Sequence, residues 1–149
     1  MMNALDTIKS WIATFPKHNI LSDFRVDYTD QIPANGAIFP AGLVEVSRVQ
    51  DVTGDVLVRN QYNFGLYYVF EKTPGDDTGA CINADWIMDF QEWVQEQAIT
   101  GEAPQFGDRT LEIKAQNGAL YDAGSDGTAT YMVHLSVAFE KEFEVKNNV

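Results

Sequence analysis

Two long stretches alternate apolar and polar residues with a period of two, which points to a fold built around a large sheet. Over 56–71, Val56, Val58, Tyr62, Phe64, Leu66, Tyr68 and Phe70 share one face, and only Asn60 interrupts them. Over 129–145 the series is Ala129, Tyr131, Val133, Leu135, Val137 and Phe139, then Phe143 and Val145 beyond Lys141. At roughly 3.3 Å per residue the first run extends about 50 Å, far beyond a common strand of about five or six residues. Such a strand either bends at a bulge, with Gly65 the candidate, or projects beyond its own domain.

The remaining segments supply helices and shorter strands. Leu5, Ile8, Ile12 and Phe15 recur at three- and four-residue spacing with Trp11 beside them, which predicts a helix capped by Asn3, with Asp6 three residues on, and stopped by Pro16. Residues 24–28 and 43–49 alternate as short strands. Between them "TDQIPANGAIFPAG", with its prolines, its glycines and an Asn-Gly pair, predicts an irregular loop over 29–42. "QDVTGD" turns the chain back, and 73–79 is a second loop. Asn83 caps a second predicted helix, where Ile87, Phe90, Val94 and Ala98 form a stripe and Trp86 and Trp93 face either the sheet or a neighbouring subunit. Gly101 and Pro104 end it, 110–115 is a strand, and "LYDAGSDGT" is a flexible connection.

This order predicts a single domain over 1–149 of the α+β class: an antiparallel or mixed sheet of four or more strands with the two helices packed on one face. At 149 residues the chain is long enough for one sizeable core. Its 22 acidic against 10 basic residues give a net charge of -12, which repels phosphate backbones and argues against tight nucleic-acid binding or an anionic membrane partner. No apolar run approaches a membrane span, and the first residues lack the basic region and apolar core of a signal peptide, so a cytoplasmic protein is expected. The single cysteine, Cys81, is expected as a small buried group at a helix entrance.

The usual chemical signatures are missing. His18 and His134 are the two histidines, and neither has a second ligand at metal-binding spacing. "DAGSDG" lacks the ligand series and closing Glu of a calcium loop. No serine sits in a nucleophile elbow, and no glycine-rich phosphate loop occurs. Neither catalysis nor a cofactor is expected.

Candidate sites are therefore surfaces. The loop 29–42, with Ile38, Phe39 and Pro40, and the loop 73–79, with Asp76 and Asp77, are expected subunit or partner contacts. Glu140, Glu142 and Glu144 share one strand face, as solvated charges, guards of a strand edge, or an acidic channel lining.

The segments "MNALDTIKSWIATFP", "VDYTDQIPANGAIFPAGL", "VTGDVLVRNQYNFGLYYVFEK" and "GDRTLEIKAQNGALYDAGSDGTATYMVHLSVAFEKEF" resemble a family of small proteins from tailed phages and prophages of Gram-positive bacteria. These are labelled minor capsid proteins and are similar in assembly order to tail-terminator or tail-completion proteins. The likeness runs over nearly the full chain and carries no catalytic signature. It implies a homo-oligomer, a sixfold ring that caps the tail tube at the head–tail junction of the virion, assembled in the host cytoplasm. The implied partners are the tail-tube protein and a head-completion protein. An acidic lining would keep DNA from sticking as it passes. The alternative is a non-enzymatic small-ligand or protein-binding module, monomeric or dimeric, with a pocket among Tyr62, Tyr67, Tyr68 and Trp93. An acid–base enzyme would need a carboxylate of strongly raised pKa in a cleft.

Overall fold

The computed structural model describes residues 3–20, 23–27, 33, 35–72, 75, 77–123 and 127–145. Helix α1 spans Ala4–Ile12, with the Asn3 side chain accepting the Asp6 N–H at 2.8 Å as its cap. A 3-10 turn, Pro16–Ile20, follows, then the short strand β1, Asp23–Val26. Strands β2 (Asn35–Gln50) and β3 (Val56–Glu71) precede helix α2 (Asp77–Thr100), and β4 (Arg109–Ala123) and β5 (Thr128–Phe143) complete the order.

The five strands form one sheet in the order β1-β2-β3-β5-β4. Only the β1–β2 pair is parallel; β2–β3, β3–β5 and β4–β5 are antiparallel. The expected mixed α+β sheet with its helices on one face is thus present. β3 and β5 pair without a break from Val56↔Phe143 to Glu71↔Thr128. No bulge falls at Gly65; the register shifts lie in β2, between Pro40 and Leu43 and between Glu45 and Ser47. Gly65 instead makes room for the Tyr67 ring, which lies 3.3 Å from where a Cβ would be.

The loop expected over 29–42 is in large part strand. Residues 28–32 and 34 lie outside the described residues, but from Asn35 onward the chain belongs to β2. Gly36 is a packing glycine and not a turn glycine: a Cβ there would meet Phe24 at 2.7 Å and Tyr68 at 3.2 Å, because those two rings stack across it. Pro40 is tolerated because β1 pairs no further than Ile38, leaving β2 a sheet edge from there on. The expected turn at 51–55 is present. Asp51 Oδ1 accepts from the Thr53 N–H, the Thr53 hydroxyl and the Asp55 N–H, and Gly54 takes a φ of 93°.

α2 starts six residues before the expected cap. Asn83 is buried inside the helix, where its amide donates to the Glu71 carbonyl at 3.2 Å and ties α2 to the end of β3. Thr78 and Gly79 read locally as loop residues, and docking onto the sheet overrides that preference. Gly101, with a φ of 77°, ends the helix as expected. β4 also outruns its expected 110–115, because bulges near Leu111, Asn117 and Tyr121 break the alternation that would have marked it.

The core lies between the helices and one sheet face. Ile8, Ile12 and Phe15 from the first helical segment meet Ile87, Phe90 and Val94 of α2 above Leu66, Tyr68, Val133 and Leu135. Each such side chain contributes roughly 1.5–3 kcal/mol by leaving water. Trp86 and Trp93 serve this packing. Trp86 lies edge-on to Tyr68 with centroids 4.7 Å apart and donates to the Lys17 carbonyl at 3.1 Å. Trp93 stacks on Trp11, whose indole N–H donates to Gln97 at 3.0 Å.

Candidate functional site

The sheet face without helices carries the residues expected to form an acidic lining, and there the strand order changes their meaning. Glu140 lies between two arginines, opposite Arg59 on β3 and opposite Arg109 on β4. Its carboxylate is 3.6 Å from the Arg109 guanidinium. Glu142 is exposed opposite Leu57, and Glu144 follows the end of β5. The three therefore do not form a uniform acidic row, because cross-strand cations interrupt it at Glu140.

Negative charge gathers instead at the hairpin end of the sheet. Asp108 accepts the Glu142 N–H at 2.6 Å, Asp55 accepts the Val145 N–H at 3.3 Å, and Asp51 and Asp55 join Glu142 around a shallow groove of about 230 Å³ with Val49 and Leu57. Hydrogen bonds from Thr53 hold the Asp51 carboxyl below its ordinary range. Asp51, Asp55 and Asp108 were not singled out by sequence; the turn signal at 51–55 placed the first two in a loop without showing what they would neighbour.

The expected contact residues divide. Ile38 is fully buried in the core, so its side chain packs the domain and is not available to a partner. Phe39 points to the other face, half-buried and edge-on to Tyr67 with centroids 5.1 Å apart, and Tyr67 in turn meets Tyr121 at 5.2 Å. Pro40 is exposed. Asp77 is exposed in the first turn of α2, whereas Asp76 lies outside the described residues.

Beyond Pro40 the edge of β2 is bare. Leu43, Val44, Val46 and Val49 are all exposed, and Val52 at the hairpin tip and Leu57 on β3 join them. The register places Leu43 on the helix side and Val44 and Val49 on the opposite side, so apolar groups protrude on both faces of the projecting hairpin. Sequence reasoning left 56–71 either bent near Gly65 or projecting; the neighbouring strand, half read as a loop, carries most of the exposed apolar groups.

The opposite edge of the sheet is β4, and α2 runs beside it. The two touch at Gly118, where a Cβ would meet Gln91 at 2.4 Å and Ile87 at 2.7 Å. Gln91 also donates to the Ala115 carbonyl at 3.1 Å. This pinch divides the seam into two grooves. One, about 570 Å³, is lined by Gln95, Ala98, Ile99, Leu111 and Ile113 among others. The other, about 640 Å³, includes Lys72, Cys81, Met88, Leu120 and Tyr131. Cys81 is exposed on α2 and not buried at a helix entrance, since the helix already began four residues earlier.

The four aromatics considered for a ligand pocket do not meet. Tyr68 is fully buried, Tyr62 stacks on Phe139, Tyr67 lies on the other sheet face and Trp93 packs between the helices. Burial pushes the Tyr68 hydroxyl well above its ordinary pKa and holds His18 below its own. Among the described residues no group of three or more His, Cys, Asp or Glu is placed to hold a metal ion, and no helix is long and apolar enough to cross a membrane. What the geometry offers is two sheet edges and their flanking grooves. No protein-family model matches the chain, and no curated protein matches it.

Proposed function

We propose that this chain is a structural, non-enzymatic phage protein that closes an oligomeric ring at the end of the tail tube and helps join tail to head. The observation that carries this reading is the projecting part of β2, which presents Leu43, Val44, Val46 and Val49 to solvent at a free sheet edge. A free, apolar strand edge is a template for another chain, and a protein built to assemble has a use for one. The resemblance of the opening, middle and closing segments to tail-terminator-like minor capsid proteins supports the same role. A hexamer at the head–tail junction, with the tail-tube and head-completion proteins as partners and no cofactor, follows from it.

The acidic groups at the hairpin end, Asp51, Asp55 and Glu142, replace the in-line glutamates as the best candidates for a surface that DNA does not stick to. Light scattering of the purified protein from about 1 to 100 μM, alone and with tail-tube protein, tests the assembly. A species near six subunits in either condition supports the ring. A concentration-independent monomer in both refutes it.

The grooves along the α2–β4 seam favour a second reading, a monomeric or dimeric binding module. That reading requires the monomeric or dimeric outcome in both conditions and a ligand whose binding is lost when Ala98→Trp fills the seam.

A further inference from the structure

We infer that the free edge of β2, over Leu43–Gln50, pairs with the free edge of β4, over Arg109–Lys114, in a second copy of this chain, so that the sheet continues from one subunit to the next. The contact supplies the ring reading with its interface and depends on that reading only in requiring more than one copy.

A single open sheet has two edges, and here both are available. β1 covers β2 only as far as Ile38, and β4 has α2 beside it but no further strand among the described residues. Proteins commonly protect such edges with charge or by keeping them short. β2 is not short, its charges there are the mutually paired Glu45 and Arg48, and Val46, at a register shift, and Val49 lie at the edge with 51% and 61% of their surface exposed. The open stretch of β4 bulges at Leu111 and is bounded where Gln91 takes the Ala115 carbonyl and where the chain bulges at Asn117, leaving six residues against the donor's eight.

The groove beside β4 supplies what a strand added there needs. A strand turns alternate side chains to each face, and those turned toward α2 would meet Ala98, Ile99 and Leu111 in a space of about 570 Å³. Ile99 itself is 79% exposed without a partner. One layer of the added strand is thus covered, and its backbone groups find the open edge.

Charge along these two edges lets a second copy approach despite the acidity of the rest of the surface. Copies that each carry -12 repel one another over most of their surface. On β2, however, Glu45 is offset by Arg48, which it binds at 2.6 Å, and on β4 Arg109 and Lys114 outweigh Glu112. The two edges are stretches without net negative charge, the first neutral and the second with one positive charge in excess. The pairing is head-to-tail, since each copy donates β2 and receives on β4, and an interface of that kind closes into a ring or runs on as a filament.

Two variants of the full chain test this by sedimentation velocity. Val46→Lys with Val49→Lys disables the donor edge, and Ile99→Lys with Ala98→Trp disables the receiving groove. All four side chains lie at or near the surface, and unchanged far-ultraviolet circular dichroism shows that each variant folds. Wild type is expected to associate up to about 300 μM while each variant alone stays monomeric, and an equimolar mixture of the two is expected to restore a dimer and nothing larger. That rescue is specific to head-to-tail pairing. Variants that assemble like wild type overturn this contact and leave the ring reading standing on another surface; a monomeric wild type at every concentration overturns the contact, and the ring reading falls with it only if tail-tube protein also fails to assemble the chain. Loss of association in the donor variant alone, with the groove variant unaffected, also overturns it, because it indicates like edges pairing with each other.

Discussion

Glu140 on β5 and Arg109 on β4 stand directly opposite one another, with 3.6 Å between carboxylate and guanidinium, and Arg59 occupies the matching position on the other side of Glu140. The carboxylate is the anion between two cations in a row that crosses three strands.

Replacing Glu140 by lysine puts three cations in that row. Like charges opposite one another on a sheet cost roughly as much as an opposite pair stabilises, so Glu140→Lys is expected to lower stability by about 1 kcal/mol. Glu142→Lys and Glu144→Lys, at exposed positions without such neighbours, are expected to change it by less than about 0.5 kcal/mol. Urea midpoints of the three single variants measure the contrast, and equal midpoints would dismiss the row.

Tyr68 is the largest fully buried side chain, and its hydroxyl has no hydrogen-bond partner among the described residues. A buried hydroxyl without a partner carries a desolvation cost, so Tyr68→Phe is expected to raise stability by about 1 kcal/mol. A loss of stability in the same urea experiment would mean that the hydroxyl is bonded.

His18 packs edge-on to Phe24 with its Nδ1 buried, and burial lowers its pKa from 6.5. The unfolded chain then binds a proton more readily than the folded one. Its contribution is fully present above about pH 6.5 and is lost as the pH falls through the depressed folded value. His18→Phe is expected to flatten this part of the stability profile between about pH 7 and pH 5, and parallel profiles for the two proteins would contradict it.

The stacked rings of Trp11 and Trp93, 5.0 Å apart, join α1 to α2. Trp11→Ala is expected to cost about 3 kcal/mol, and a double-mutant cycle with Trp93→Ala should return a coupling of about 1 kcal/mol. Additive losses within about 0.3 kcal/mol would show that the two indoles act separately.

Where one face of an element is buried along most of its length, the sequence is readable. α1, the two long strands and the core stripe of α2 were legible because Ile8, Phe64, Val133 and Phe90 recur at the period of their elements. Legibility failed where a residue serves a neighbour distant in sequence. Gly36 has no side chain because Phe24 and Tyr68 meet over it, and Asn83 sits inside a helix because it reaches back to Glu71. Each residue resembles a loop or cap signal when only its sequence neighbours are considered. The bulges of β4 erased its alternation in the same way. The site suffered most from strand order: β5 comes last in the chain yet lies between β3 and β4, so nothing near Glu140 in sequence reveals Arg59 or Arg109.

That order also has a temporal side. During synthesis β2 and β3 can meet as a hairpin soon after they are made, but β4 finds no neighbour until β5 arrives, and Val56 must wait for Phe143. Pairings so distant in sequence form slowly, and until they form β3 has a naked edge of its own. A chain interrupted before Thr128 thus has the sheet of β1, β2 and β3, an unpaired β4 and no strand to unite them. Translation through β5 therefore completes the sheet, and a copy cut short of it lacks the strand that joins β3 to β4.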